Sequence, residues 1–381
     1  MGDESVVSTA APDKSDLSSE RHALPNSNAV QLSGRLWIIV GVVMLALIAG
    51  ASPLWERIET FKPGSDYRVP YALGSDYWLY GRHCRQATDA GRIPLIGDSV
   101  IWGHYVPPDE TLSHHLNVAI GDTRFANLGL DGTHPAALQG LVEYYAQGVA
   151  GRAVVLHFNP LWITSAKHDL QTEKEFQFNH PSLVSQFETK IPCYKAPFAE
   201  RLRVVTQRRI PFFNWSSHLK VAYFAGMDLQ HWTLEHPYAN PLANRLPQPL
   251  DAAPETGTSW LERGAKERSV AWVELDSSLQ WQFFRQTVER LKARGSQVFV
   301  LVGPFNEHML DEASVEAYGK IKNQIGTWLQ ENDVPHLVAE PLPSALYADS
   351  SHPLAEGYAL LARQLLDAPT FQRVMSGASH R

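Results

Sequence analysis

Short apolar runs alternate with longer amphipathic stretches from about residue 92 onward. The runs at 92–97, 125–128 and 153–158 have the length and composition of strands. The third is almost continuously apolar, as strands covered on both faces tend to be. Apolar residues recur at helical spacing from 138 to 145, between the second and third runs. Strands that alternate with helices predict a parallel sheet with helices on both faces.

The same pattern resumes near the C-terminus. Ser277 and Ser278 are suitable N-caps for a helix that ends at Gly295. The elements predicted after it are a strand at 298–302, a helix at about 313–329, a strand at 335–339 and a last helix at 353–367. We therefore expect a flavodoxin-like three-layer α/β/α domain at 92–375, with a five-stranded parallel sheet in the order 2-1-3-4-5.

The alternation fails between Asn159 and about Asp276. This stretch is rich in proline and tryptophan, and a loop of such length without structure is improbable in a compact domain. We expect a cap insertion at about 160–276.

The N-terminus has two parts of opposite character. Residues 1–34 are polar with no apolar period, which predicts a disordered tail. Residues 35–55 contain a charge-free run long enough for a transmembrane anchor, bracketed by Trp37 and Trp55. A cleaved secretory signal and a buried core helix are the alternatives, and the flanking positive charges do not decide the orientation. Residues 56–91 are expected to be a linker and lead-in.

Composition narrows the possible functions. The chain has 33 basic and 40 acidic residues, so it lacks the charge pattern of a nucleic-acid-binding protein. Cys84 and Cys193 form neither a CxxC pair nor a metal cluster, and the sequence leaves open whether they form a disulfide or stay as two buried thiols. Nucleotide-binding and metalloprotease motifs are absent, and we expect neither a cofactor nor a metal.

Residues just past the predicted strands are the candidates for chemistry, because ligands bind at the carboxyl ends of parallel strands. Ser99 follows the first strand where a helix begins, a position that favours developing negative charge. Gly132 follows the second strand and Asn159 the third. Asp349 and His352 precede the final helix, where the imidazole can accept a proton and the carboxylate can orient it. Each signal alone is typical of a helix cap or a turn.

Taken together, these positions resemble the four blocks of the SGNH (GDSL-type) hydrolase family, which carry serine, glycine, asparagine and histidine in this order. The resemblance covers about 92–367 without the insertion. It implies that Ser99 is the nucleophile, His352 the general base and Asp349 its orienting acid. It also implies that the Ser99 N–H, Gly132 and Asn159 bind the oxyanion. The third block departs from the common Gly-x-Asn-Asp pattern, because this chain has His157, Phe158, Asn159 and Pro160.

The anchored layout is similar to the alginate O-acetylation proteins and the D-alanyl transfer protein of teichoic acids. The resemblance implies a membrane-anchored serine esterase or O-acyltransferase with an extracytoplasmic catalytic domain. Its substrate would be an acyl ester, expected to be O-acetyl, of a polysaccharide or glycoconjugate. The alternatives are a non-catalytic glycan-binding or assembly protein with the same fold, and a protein that works only beside a multi-spanning acyltransferase partner. Asn306 and His308 follow the fourth strand and could contact substrate.

Overall fold

The structure, a computed structural model, describes residues 32–242 and 257–378. The tail expected at 1–34 lies outside the described residues up to residue 31. The chain divides into two units, of which the first ends at Gly50 and the second begins at Ala51.

The apolar N-terminal run forms one helix, α1 (Gly34–Ile58), which is long and apolar enough to cross a membrane. At 1.5 Å per residue its 25 residues exceed the roughly 30 Å of a hydrocarbon core. Only 6% of its most apolar window is buried, which argues against the alternative of a core helix.

Five parallel strands form one sheet in the order β2-β1-β3-β4-β5, as the alternation predicted. The strands are β1 (Ile93–Gly97), β2 (Phe125–Gly129), β3 (Ala153–Phe158), β4 (Gln297–Val302) and β5 (His336–Val338). The helices after α1 are α2 (Tyr77–Asp89), α3 (Ser99–Trp102), α4 (Leu112–Ile120), α5 (Pro135–Tyr144), α6 (Phe198–Arg209), α7 (Pro211–Tyr223), α8 (Leu229–Glu235), α9 (Leu279–Ala293), α10 (Glu312–Glu331), α11 (Ala355–Asp367) and α12 (Pro369–Ala378).

Alternate strand residues face opposite layers of helices, because successive side chains of a strand point to opposite faces. Ile96, Leu156 and Val300 pack in one cluster with α2, α5, α9 and α10. Their neighbours Leu95 and Val155 pack in a second cluster with α4, α11 and α12. The sheet is thus covered on both faces, which explains the almost unbroken apolar runs in its strands.

The expected linker at 56–91 is not a simple linker, because it contains the buried helix α2. Arg82 and His83 of this helix are both buried, at 4% and 0% exposure. Because these buried residues are polar, the apolar pattern of the sequence did not reveal the helix. Helix α2 is nevertheless part of the core.

The insertion at about 160–276 is divided between two places. Its helices α6–α8 form a group of which α7 packs against α2 rather than over the strand ends. The ends of the insertion lie elsewhere: the indole of Trp260 donates to the Ser344 carbonyl near the final helix. Other parts of the insertion contact residues near the strand ends, with Asn179 beside Gly132 and the Trp162 indole donating to Asp98. Residues 243–256 of the insertion lie outside the described part.

A buried ionic network joins the end of α1 to α2 and α7. His218 lies between two carboxylates, with Nε2 2.8 Å from Glu59 Oε1 and Nδ1 2.6 Å from Asp76 Oδ2. Arg82 donates to the other Glu59 oxygen at 2.5 Å, and the Tyr223 hydroxyl donates to Glu59 at 2.6 Å. Burial alone would lower the pKa of His218, but the two carboxylates raise it to about 9. The network thus holds charged groups in the core by pairing each of them.

Both cysteines are free and buried, so the question of a disulfide is resolved in favour of two thiols. Burial raises the pKa of the Cys84 thiol to about 12, so the reactive thiolate is disfavoured there.

We predict that Glu59→Ala lowers the free energy of unfolding by about 3 to 5 kcal/mol, because it leaves Arg82 and His218 without a buried partner. Urea unfolding of the full chain in mild detergent would measure this. Glu173→Ala is the matched control, since Glu173 is 77% exposed and pairs with the exposed Lys195. Its loss should cost less than about 1 kcal/mol. Equal costs for the two variants would contradict the stabilising role of the network.

Candidate active site

The register of the central strands places the expected site residues at one edge of the sheet. Gly97 of β1 lies opposite Gly129 of β2, and Ile96 lies opposite Leu156 of β3. Each strand ends within three residues of these positions, and Ser99, Gly132 and Asn159 follow the strand ends. The residues that the sequence singled out therefore share the carboxyl edge of the sheet.

Ser99 is the first residue of α3, a helix of a single turn. Asp98 precedes it as the N-cap, and its carboxylate accepts a hydrogen bond of 3.0 Å from the Val100 N–H. Gly97 is required before this turn, because a Cβ there would lie 2.6 Å from Ile101 and 2.7 Å from His157. The tight strand-to-helix turn holds the Ser99 side chain at the sheet edge, where it is 8% exposed.

Ser99, His352 and Asp349 form a hydrogen-bonded chain. The Nε2 atom of His352 lies 2.8 Å from Ser99 Oγ. The Nδ1 atom of the same ring lies 2.8 Å from each oxygen of Asp349. Asp349 also accepts from the backbone N–H groups of Ser351 and His352, at 2.9 and 3.0 Å. This is the arrangement of a nucleophile, a base and an orienting carboxylate.

The pKa values of Asp349 and His352 are shifted in the directions that this hydrogen-bonded chain requires. Burial would raise the pKa of Asp349, but the His352 imidazole and the two backbone N–H groups hold it well below its usual range. Burial would lower the pKa of His352, but Asp349 raises it, with smaller contributions from Asp98 and Asp131. A carboxylate that remains ionised beside the ring stabilises the imidazolium formed when Ser99 loses its proton.

The expected oxyanion donors follow the ends of β1, β2 and β3. The N–H groups of Ser99 and Gly132 are bound to no other group in the described part of the chain. Gly132 has a φ of +71°, and a Cβ there would lie 2.2 Å from the Asn179 side chain, so only glycine fits. The Asn159 amide donates to Asp98 Oδ2 at 2.8 Å, which leaves its second N–H for another acceptor.

A second buried Asp–His pair lies beside the nucleophile and was missed as a functional feature in the sequence. His157 Nδ1 is 3.2 Å from Asp98 Oδ1, and its Nε2 is 2.9 Å from the Gly303 carbonyl. The other Asp98 oxygen accepts from the Asn159 amide and, at 2.9 Å, from the Trp162 indole. Burial would raise the pKa of Asp98, but His157, Asn159 and the Val100 N–H lower it. Asp98 therefore holds the amide donor and the serine turn together. The signal in the sequence was His157, which departs from the Gly-x-Asn-Asp pattern.

Three further residues near His352 were also missed in the sequence. The rings of His104 and Tyr105 each lie 5.4 Å from the ring of His352. His104 Nδ1 lies 2.6 Å from Asp131 Oδ1. Asp131 follows the end of β2 by two residues, which was the available signal for it, whereas His104 and Tyr105 lie beyond α3.

The two expected substrate contacts have different roles in the structure. Asn306 is fully buried. Its backbone N–H donates to the Ser350 carbonyl at 2.8 Å, and its side-chain amide donates to the Asp349 carbonyl at 3.0 Å. It therefore braces the Asp349–His352 loop rather than facing solvent. His308 is exposed, and its Nε2 lies 3.0 Å from the Leu342 carbonyl. No contact in the described residues joins His308 to Ser99.

No protein family and no curated protein matches this sequence. The described residues include no group of three or more His, Cys, Asp or Glu side chains that could hold a metal ion.

We predict that Asp349→Asn lowers the pKa of His352 by about 1 to 3 pH units, because it removes the nearest negative charge. Titration of the histidine ring signals by NMR would measure this, with His352→Gln used to assign the signal. Asp131→Asn is the matched control, because Asp131 acts on His352 without bonding to it. An equal fall in both variants would show that Asp349 is not the principal partner.

Proposed function

We propose that this chain is an SGNH-type serine esterase or O-acyltransferase that acts on acyl esters, most simply O-acetyl groups, of an extracytoplasmic polysaccharide or glycoconjugate. The observation that carries the proposal is the continuous chain from Ser99 Oγ through the His352 ring to Asp349, with both joining distances at 2.8 Å. The parallel sheet and its strand order agree with the fold that the resemblance implies.

The proposed reaction begins when Ser99 Oγ attacks the ester carbonyl while His352 Nε2 takes its proton. Asp349 stabilises the imidazolium, and the oxyanion receives hydrogen bonds from the Ser99 and Gly132 N–H groups and the Asn159 amide. His352 then gives the proton to the departing alcohol oxygen, and the acyl group stays on Ser99. Water or a sugar hydroxyl, deprotonated by His352, attacks the acyl-enzyme and restores Ser99.

The membrane setting is part of the proposal. Helix α1 supports a single-pass anchor by its length and apolar composition. The resemblance to envelope acyl-transfer proteins supports an extracytoplasmic catalytic domain, and a multi-spanning partner would supply acyl groups if transfer is the reaction. The proposed substrate and partner rest on the same resemblance.

We predict that a fluorophosphonate probe labels the full-length protein in mild detergent and that Ser99→Ala abolishes the label. The same variant should reduce turnover of a small acetyl ester by more than about 10⁴-fold, because the nucleophile is lost. Mass spectrometry of the labelled peptide and ester hydrolysis would measure the two effects.

Ser216→Ala is the matched control, since Ser216 is exposed on α7, and it should keep label and turnover. The assay is run with and without an oligosaccharide acceptor, so that acyl transfer is distinguished from hydrolysis. Retention of a polysaccharide that His352→Ala does not change, together with absence of labelling and turnover, would favour the non-catalytic glycan-binding function instead.

We further predict that Asp98→Asn lowers kcat by about 10² to 10³-fold with little change in KM, as expected when an oxyanion donor loses its position. Asn at 98 would present an amide to the Asn159 and Trp162 donors in place of one carboxylate oxygen. Steady-state kinetics on a small ester would separate kcat from KM.

Asp228→Asn is the matched control, because Asp228 is also a helix N-cap, on α8, and its kcat should be that of the wild type. An Asp98→Asn variant with a wild-type kcat would refute the positioning role. A loss of kcat accompanied by a similar rise in KM would refute it as well, since general damage to the site changes both.

A further inference from the structure

An apolar groove lies between α6 and α7, on the outside of the molecule. It has a volume of about 570 Å³, and Ala199, Leu202 and Phe213 contribute apolar groups to its lining. Phe198, at the start of α6, is 69% exposed, and Leu202 and Phe213 are 49% and 43% exposed. Contiguous exposed apolar surface of this kind marks an interaction site.

The groove adjoins α7, which also contacts Trp55 at the end of the charge-free run. The ring of Trp215 on α7 lies 6.2 Å from the ring of Trp55, the last residue of the charge-free run. Tyr223 of α7 also contacts Trp55, with ring centroids 5.8 Å apart. Trp55 and the groove thus both adjoin α7, Trp55 through Trp215 and Tyr223, and the groove through Phe213 and Lys220.

Hydrogen bonds join α7 to Glu59, the residue that follows α1. Glu59 accepts from the Tyr223 hydroxyl and pairs with His218, both of α7, in the buried network described above. An apolar run that ends at Trp55 would leave the bilayer near that residue, since tryptophan is enriched at membrane interfaces. Helix α7 would then lie at the level of the lipid headgroups.

The charge of the two helices differs from that of the chain. The sequences of α6 and α7 contain five basic residues, four arginines and Lys220, and one acidic residue, Glu200. The whole chain has 33 basic and 40 acidic residues. Arg203 and Lys220 line the same groove as the apolar side chains. Basic groups that flank apolar side chains are the composition of surfaces that bind anionic lipid headgroups.

We infer that the α6–α7 surface is a membrane-interface contact that rests on the anionic lipid surface around the anchor, with Phe198, Leu202 and Phe213 among the acyl chains and the basic groups at the phosphates. The inference rests on the proposed membrane anchor. It makes the insertion a second, lateral attachment of the catalytic domain to the bilayer.

Spin labels on the full-length protein in vesicles of phosphatidylcholine and phosphatidylglycerol test this surface. The labels are placed by Phe213→Cys and Leu202→Cys within the groove, and by Leu45→Cys within the apolar helix. Val118→Cys on α4 is the matched control, since Val118 is an apolar residue 65% exposed outside the groove. The native cysteines are buried, and unmodified protein measures their background labelling.

We expect the labels at 213 and 202 to collide more often with oxygen, and less often with a water-soluble nickel chelate, than the label at 118. A label at 213 as accessible to the nickel chelate as that at 118, with the label at 45 in lipid, would overturn the inference and leave the anchor intact. A label at 45 that is itself in water would remove the anchor and the surface together. Shielding of 213 from both reagents would overturn the inference in favour of a protein contact, such as a second copy of the chain. Leu202→Cys keeps the test decisive if Phe213→Cys changes the thermal unfolding midpoint.

Discussion

The hydrogen bond between Ser99 and His352 joins residues 253 positions apart, and the chemistry of the site depends on it. Neither side chain could be held in place by its local sequence. Ser99 is fixed by a turn in which glycine at 97 lets α3 pack against β3. His352 is fixed by a loop that Asn306, beyond β4, holds through two backbone carbonyls. Arg268 of the insertion donates to Ser350 in the same loop, so the insertion also supports the base.

Two Asp–His pairs flank Ser99, and their environments differ. Asp349 keeps 35% of its side chain exposed, whereas Asp98 is 2% exposed. A buried carboxylate without partners would bind a proton instead of staying charged, because water no longer stabilises it. Asp98 avoids this by accepting from Val100, Asn159 and Trp162 and by facing His157. One pair is therefore hydrogen-bonded to the Ser99 hydroxyl, and the other joins the Ser99 turn to Asn159 and Trp162.

The sheet could be predicted from the sequence because each strand is a local apolar run that ends at a recognisable break. The positions of Ser99, Asp349 and His352 followed from the same logic, since parallel strands bring their carboxyl ends together. The direction in which each side chain points could not be predicted in this way. Asn306 follows β4 as expected, but its side chain braces the Asp349–His352 loop. Helix α2 was not predicted because Arg82 interrupts its apolar pattern. Arg82 can be buried because it pairs with Glu59, which lies 23 residues earlier in the chain. His157 was visible only as a departure from a family pattern, since its partner Asp98 lies on a different strand end.

The segment after the apolar helix is packed against the domain. A free linker at 56–91 would let the carboxyl edge of the sheet move relative to Ser52. Instead, Glu59 and α2 are buried in the same core as the sheet, with Trp78 donating to Ser52 near the end of α1. From Ser52 onward the distance to the carboxyl edge of the sheet is therefore set by packing rather than by linker length.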